Sequence, residues 1–221
     1  MRRTRTATSR GARPPGRSSW FREARPLKLD VTALRERLRR PAPAVSLYGD
    51  DDAGRERAAV TPASVLVPII AHEAGLTVLF TRRTPHLRRH SGQVSFPGGR
   101  AEADDPTPEF TALRETHEEI GLPPQRVEVL ARMPDYLTRT GYRVTPVIGL
   151  VAPPLELVPD SREVDEVFEV PLAFLLDPRN AQRRSREIEG RSVGYYVFEY
   201  EQRVIWGATA GMLVNLHRML A

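Results

Sequence analysis

Between residues 107 and 122 the chain specifies a helix with both ends marked, and loads it with three glutamates that the helix has no local reason to hold. Thr107 followed by Pro108 supplies an N-cap and a first residue, and Gly121 supplies the C-terminal stop. At about 100° per residue, Leu113, Thr116 and Ile120 form a mainly apolar stripe that must sit on something, which predicts a sheet beneath it. Glu115, Glu118 and Glu119 then share roughly a 100° arc on another side of the same helix. Glu115 and Glu119 repel across one turn, at about 0.2–0.5 kcal/mol. All three lie in the last turns, where the helix dipole favours cations by ~0.3–1 kcal/mol per charge. A solvated face is the usual meaning of a charge run. Here Arg114 is the only adjacent cation and neither local rule is met, a pattern expected at functional sites. Divalent cations would supply the missing positive charge, and all-oxygen ligands suit Mg²⁺ or Mn²⁺.

The rest of the composition narrows the class. A length of 221 residues with 40% apolar content supports one domain with one sizeable core. The absence of cysteine removes disulfide scaffolds, zinc-thiolate sites and thiol nucleophiles. The longest apolar stretch, 65–71, falls far short of the ~18 residues of a membrane span, so no membrane partner is expected. The net charge of +5 misleads, because residues 1–25 hold eight arginines against Glu23 alone, leaving 25 basic and 27 acidic residues elsewhere. Residues 1–26 read as a disordered tail. They lack the apolar core of a secretory signal, although an Arg- and Ser-rich, acid-poor composition also suits a transit peptide or weak contact with nucleic acid. The expectation is a cytoplasmic protein with a small-molecule substrate.

Along the chain, Asp30 can cap a short helix over 31–39 that Pro41 stops, and 27–62 reads as this helix plus a linker. A domain over 63–221 follows. Strands are expected at 64–71, 77–80, 127–133, 144–151, 164–170 and 193–200, with a closing helix over 207–220. Residues 81–106 read as a loop ending in Phe96-Pro97-Gly98-Gly99. Alone, Gly98-Gly99 is an ordinary turn. One loop ahead of the acidic helix, it is a place where backbone can approach a metal or phosphate closely. Strands and helices mix without strict alternation, so a mixed sheet with packed helices is expected. Tyr195, Tyr196, Phe198 and Trp206 are expected in the core.

Gly99, Arg114, Glu115, Glu118, Glu119, Gly121 and Leu122 together resemble the Nudix box, Gly-x5-Glu-x7-Arg-Glu-U-x-Glu-Glu-x-Gly-U, with U a bulky apolar residue. Asp105 replaces its first glutamate, one residue is inserted before Arg114, and Thr116 takes an apolar place. The lengthened box is similar to that of the coenzyme A pyrophosphatases of the superfamily. Their preceding motif is matched by Leu79-Phe80-Thr81-Arg82-Arg83-Thr84, Arg88, Gly92 and Phe96-Pro97-Gly98-Gly99 at the required spacing. The resemblance spans about residues 60–220 and implies an α+β fold, an α/β/α sandwich built on a Nudix-like mixed sheet. It implies metal-dependent hydrolysis of coenzyme A or its derivatives to adenosine 3′,5′-bisphosphate and 4′-phosphopantetheine, or its acyl form. By the same resemblance Glu115, Glu118 and Glu119 hold Mg²⁺ or Mn²⁺, with Glu118 a ligand or base, and Arg114 orients them by ion pairing. A later base or ligand comes from Glu163 or Glu166. Arg83 and Arg88 are assigned to substrate phosphates beside Gly98 and Gly99. A homodimer is compatible with these features. The alternatives are a Nudix enzyme for another nucleoside diphosphate derivative, a non-catalytic Nudix-fold binding module, and an Arg-tail nucleic-acid binder. His86 and His90 have zinc-like spacing but no third neutral ligand.

Overall fold

The computed structural model describes residues 26–40, 60–85, 92–188 and 190–221. Its axis is β1 (Thr61–His72), which reads as a nearly continuous apolar run because both of its faces are covered. The turn at 72–75 leads into β2 (Gly75–Arg83), antiparallel to the C-terminal half of β1. The N-terminal half of β1 pairs instead with β4 (Gly98–Arg100), in the register Ser64 to Gly99 and Val65 to Gly98. Along its other edge β1 runs parallel to β7 (Tyr142–Val151). Further antiparallel strands complete an eight-stranded mixed sheet: β3 (Val94–Ser95) and β8 (Val164–Pro171) on β2, β5 (Val127–Arg132) and β6 (Tyr136–Leu137) on β7.

The alternation of side chains along the sheet sorts them between two layers. On one face Leu66, Ile70, Leu79 and Val147 pack against Ala112 and Ile120 of α2 (Pro108–Ile120). On the other, Val67, Ile69 and Phe80 meet Leu34 of α1 (Val31–Leu38) and Leu213 and Leu216 of α4 (Ala208–Leu220). A short α3 (Leu172–Leu175) and a three-stranded antiparallel sheet, β9 (Gln182–Ile188), β10 (Arg191–Tyr200) and β11 (Arg203–Trp206), complete this second layer. The result is the expected α+β sandwich. Truncating fully buried Ile120 to Ala would cost about 2–5 kcal/mol.

Sequence expectation and structure agree on α2 almost residue for residue. The Thr107 hydroxyl accepts from the Phe110 amide, and Gly121 closes the helix at φ 70°. Asp30 caps α1, accepting from Ala33 N–H at 2.7 Å. Three readings change. First, α1 is no mere prelude to a linker: Leu34 is wholly buried in the main core, and β1 begins at Thr61. Second, the loop over 81–106 contains β3 and β4, too short to show a period of their own. Third, Phe198 is in the core as expected, but Tyr195 and Trp206 lie partly exposed, packed edge to face, with Arg186 over both rings. Among the described residues no helix is long and apolar enough to cross a membrane.

Candidate active site

The site forms where β4 crosses the C-terminal half of α2. Gly98 is held at φ 148°, and a Cβ there would stand 2.4 Å from the Ser64 carbonyl oxygen, so only glycine lets β4 lie this close to β1. That closeness brings the next two groups onto the acidic helix. The Gly98 N–H donates to Glu119 Oε2 at 3.1 Å. The Glu115 carboxylate lies flat against Gly99, where a Cβ would come within 2.3 Å of its oxygen.

The three glutamates of the arc meet different fates. Glu119 is only 6% exposed, and burial pushes its carboxyl up to about 7 despite the Gly98 N–H and the nearby Arg83. Glu115 is partly buried and is also raised, again by burial, with Arg114 acting against the rise. Glu118 is 57% exposed and turns to Arg114 at 3.1 Å. Among the described residues no three of His, Asp and Glu converge tightly enough to enclose a cation by themselves.

Arg114 pairs with the glutamates as the resemblance implies, and also binds Asp105, a partner the sequence reading did not assign. Its Nε and Nη2 donate to the two oxygens of Asp105 at 3.1 and 2.9 Å, Nη2 also reaches Glu115 at 3.1 Å and the Arg100 carbonyl at 3.2 Å, and Nη1 reaches Glu118. Asp105, at the position of the box's first glutamate, has a side chain only 3% exposed and further held by the Thr111 hydroxyl and the Glu102 N–H. The Arg114 guanidinium holds its carboxyl far below the usual carboxylate range. The shorter acid and the inserted residue therefore still deliver a bidentate ion pair. Thr116, in an apolar place, satisfies its hydroxyl on the Ala112 carbonyl.

The later glutamates separate cleanly. Glu166 is held by Arg203 at 2.6 Å and by Arg82 at 3.0 Å, engaged in a network away from the acidic helix. Glu163 instead lies 3.9 Å from Arg83 and adds to the negative field on both Glu115 and Glu119. Its loop is tied to the end of α2, because the amides of Val158 and Asp160 donate to the Ile120 and Glu119 carbonyls that the helix leaves free. Arg83, the last residue of β2, also lies 3.7 Å from Glu119. A cleft of about 800 Å³ opens beside these groups, lined by Arg83, Gly98, Gly99, Arg100, Tyr142 and Met212 among others. Arg88, His86 and His90 lie outside the described residues.

A family model for the NUDIX domain matches residues 60–190. The uncharacterized Nudix hydrolase NudL of Pectobacterium atrosepticum is 42% identical over 159 residues, covering 70% of this chain and 80% of its own. The protein of the same name from Escherichia coli K12 is 39% identical over 200 residues, covering 88% and 95%. Among solved structures, the Nudix hydrolase RenU from M. smegmatis aligns with a TM-score of 0.46 at 28% identity over 58% of this chain and 81% of its own. The chain belongs to the Nudix family, hydrolases of phosphoric anhydrides that generally use divalent metal cations.

Proposed function

We propose that this protein hydrolyses the diphosphate of coenzyme A or a coenzyme A derivative, releasing adenosine 3′,5′-bisphosphate and 4′-phosphopantetheine or its acyl form. The observation that carries the reading is the pairing of two features at one place. A carboxylate cluster suited to cations stands beside Gly98-Gly99, and the coenzyme A-type motif around Arg83 ends at the same cleft.

The donor set fits Mg²⁺ or Mn²⁺. Glu115 and Glu119 offer hard oxygens, and Glu119 is buried with one amide and one distant guanidinium as its favourable partners, so it lacks positive charge. Glu115 and Glu119 would hold the cation, with Glu163 and the rim residue Glu118 as further ligand or base. Bound there, it would neutralise diphosphate oxygens and lower the pKa of water near phosphorus. The chain's own residues do the rest. Arg114, fixed by Asp105, holds the Glu115 carboxylate in one orientation. The Gly98 amide aims Glu119. Glu163, exposed and 3.9 Å from Arg83, can take a proton from attacking water. Arg83, with Arg88, would bind phosphate oxygens of the substrate. Every residue assigned a role here lies beyond residue 82, so turnover is expected to survive removal of residues 1–25.

The test is a panel of diphosphates with Mg²⁺ and Mn²⁺, resolved by chromatography. Coenzyme A, its acyl esters, a nucleoside diphosphate sugar and a dinucleotide should be compared. Adenosine 3′,5′-bisphosphate formed from coenzyme A well ahead of the other hydrolyses supports the reading. Preferential cleavage of a substrate lacking the 3′-phosphate would leave a Nudix hydrolase of another specificity.

A further inference from the structure

We propose that Arg83 competes with a divalent cation for Glu119 and Glu163, and that cation binding turns it toward a substrate phosphate. This rests on the metal reading above and not on the identity of the substrate.

The backbone of Arg83 is fixed on both sides, its N–H donating to the Gln93 carbonyl and its own carbonyl accepting from Gly92. The pairing of β2 with β8 shifts register between Arg82 and Arg83. The two neighbouring arginines take up opposite duties there. Arg82 is locked, at 2.7 Å from Asp165 and 3.0 Å from Glu166. Arg83 is not. Its Nη1 lies 3.7 Å from Glu119 and its Nη2 3.9 Å from Glu163, beyond the roughly 2.7–3.2 Å of a hydrogen bond.

The guanidinium therefore faces two carboxylates without a hydrogen bond to either, while its exposed quarter opens on the cleft. Arg114 and Arg203, by contrast, each have a carboxylate within 2.9 Å. Among the described residues the Arg83 guanidinium meets its carboxylates by Coulomb attraction alone, and such a cation at the mouth of a cleft can be exchanged at small cost. A dication placed on the same carboxylates repels it, and the open direction leads to where phosphate would lie. Each ligand then favours the other's binding, because both bias Arg83 toward the same position. Arg83 is thus a positioning residue for the carboxylates as well as a phosphate contact.

The experiment is a calorimetric titration of the full-length protein with Mn²⁺, with and without adenosine 3′,5′-bisphosphate, for wild type, Arg83→Gln, Arg83→Lys and Glu119→Gln. Arg83→Gln is expected to bind Mn²⁺ alone at least about fivefold more tightly than wild type, with Arg83→Lys staying close to wild type. The bisphosphate should tighten Mn²⁺ binding in wild type more than in Arg83→Gln. Equal or weaker Mn²⁺ binding by Arg83→Gln overturns the proposal. So does a Mn²⁺-soaked wild-type crystal with the guanidinium still between Glu119 and Glu163, which decides the matter even if Arg83→Gln fails to fold. Failure of wild type, Arg83→Gln and Arg83→Lys alike to bind Mn²⁺ saturably would instead remove the metal reading itself.

Discussion

Two adjacent glycines should fail in different ways when given one methyl group. At Gly99 the backbone needs no positive φ, and the nearest atoms to an added Cβ are those of the Glu115 carboxylate, with the oxygen at 2.3 Å. The carboxylate sits at the end of a flexible side chain, so it can withdraw by about 1 Å to ordinary contact, a displacement that can cost ~100-fold in rate at a reacting centre. Stability should change little. At Gly98 the φ of 148° already excludes an unstrained alanine, and the Cβ meets backbone, the Ser64 carbonyl oxygen at 2.4 Å and the Val65 Cα at 2.5 Å. Backbone strain of roughly 1–3 kcal/mol and overpacking of similar size add up to about 2–6 kcal/mol. That corresponds to a fall in Tm of roughly 4–24 °C in a domain of this size. Thermal unfolding and coenzyme A turnover measured on both variants give the comparison. Gly99→Ala with wild-type turnover, or with a loss of Tm equal to that of Gly98→Ala, would refute the close packing of β4 on the acidic helix.

Asp105→Asn should destabilise the protein by about 2–3 kcal/mol at neutral pH, since Arg114 loses its bidentate partner. Because the Asp105 carboxyl titrates below its unfolded value, the stability it supplies is complete above about pH 4 and is lost as pH falls through the lowered value. The gap between wild type and variant, read by urea unfolding, should therefore narrow on acidification, and a constant gap would contradict the ion pair. Glu163→Gln should reduce turnover at least ~100-fold, whereas Glu166→Gln should chiefly lower Tm by removing one of the two carboxylates paired with Arg203; reversed effects would exchange their roles. Arg88→Ala should raise KM for coenzyme A more than for dephospho-coenzyme A, and equal losses would detach Arg88 from the 3′-phosphate.

The elements that could be read from sequence are those set by local rules. The α2 helix has its cap, its stop and its stripe within sixteen consecutive residues, and β1 and β7 are long enough to declare themselves by apolar content. Strands β3, β4 and β6 form only because a partner from elsewhere in the chain lies alongside, and Gly98-Gly99-Arg100 has no strand propensity of its own. The site shows the same division. Three glutamates on one arc were legible, but their division into a buried, a stacked and an exposed carboxylate depends on where β4 crosses the helix. The bidentate Asp105–Arg114 pair was hidden by an inserted residue that displaces the familiar spacing. Glu163 and Glu166 are three apart and alike in sequence. Only the arginines that each one meets, Arg83 for one and Arg82 with Arg203 for the other, tell them apart.

The most direct measurement is the rate of adenosine 3′,5′-bisphosphate release from coenzyme A by Glu119→Gln beside wild type, in saturating Mg²⁺. The amide keeps the size of the side chain and removes a charge that burial already disfavours, so Tm should hold or rise while the rate falls by at least ~1,000-fold. A folded Glu119→Gln protein working within tenfold of wild type would contradict cation-assisted hydrolysis at this carboxylate cluster.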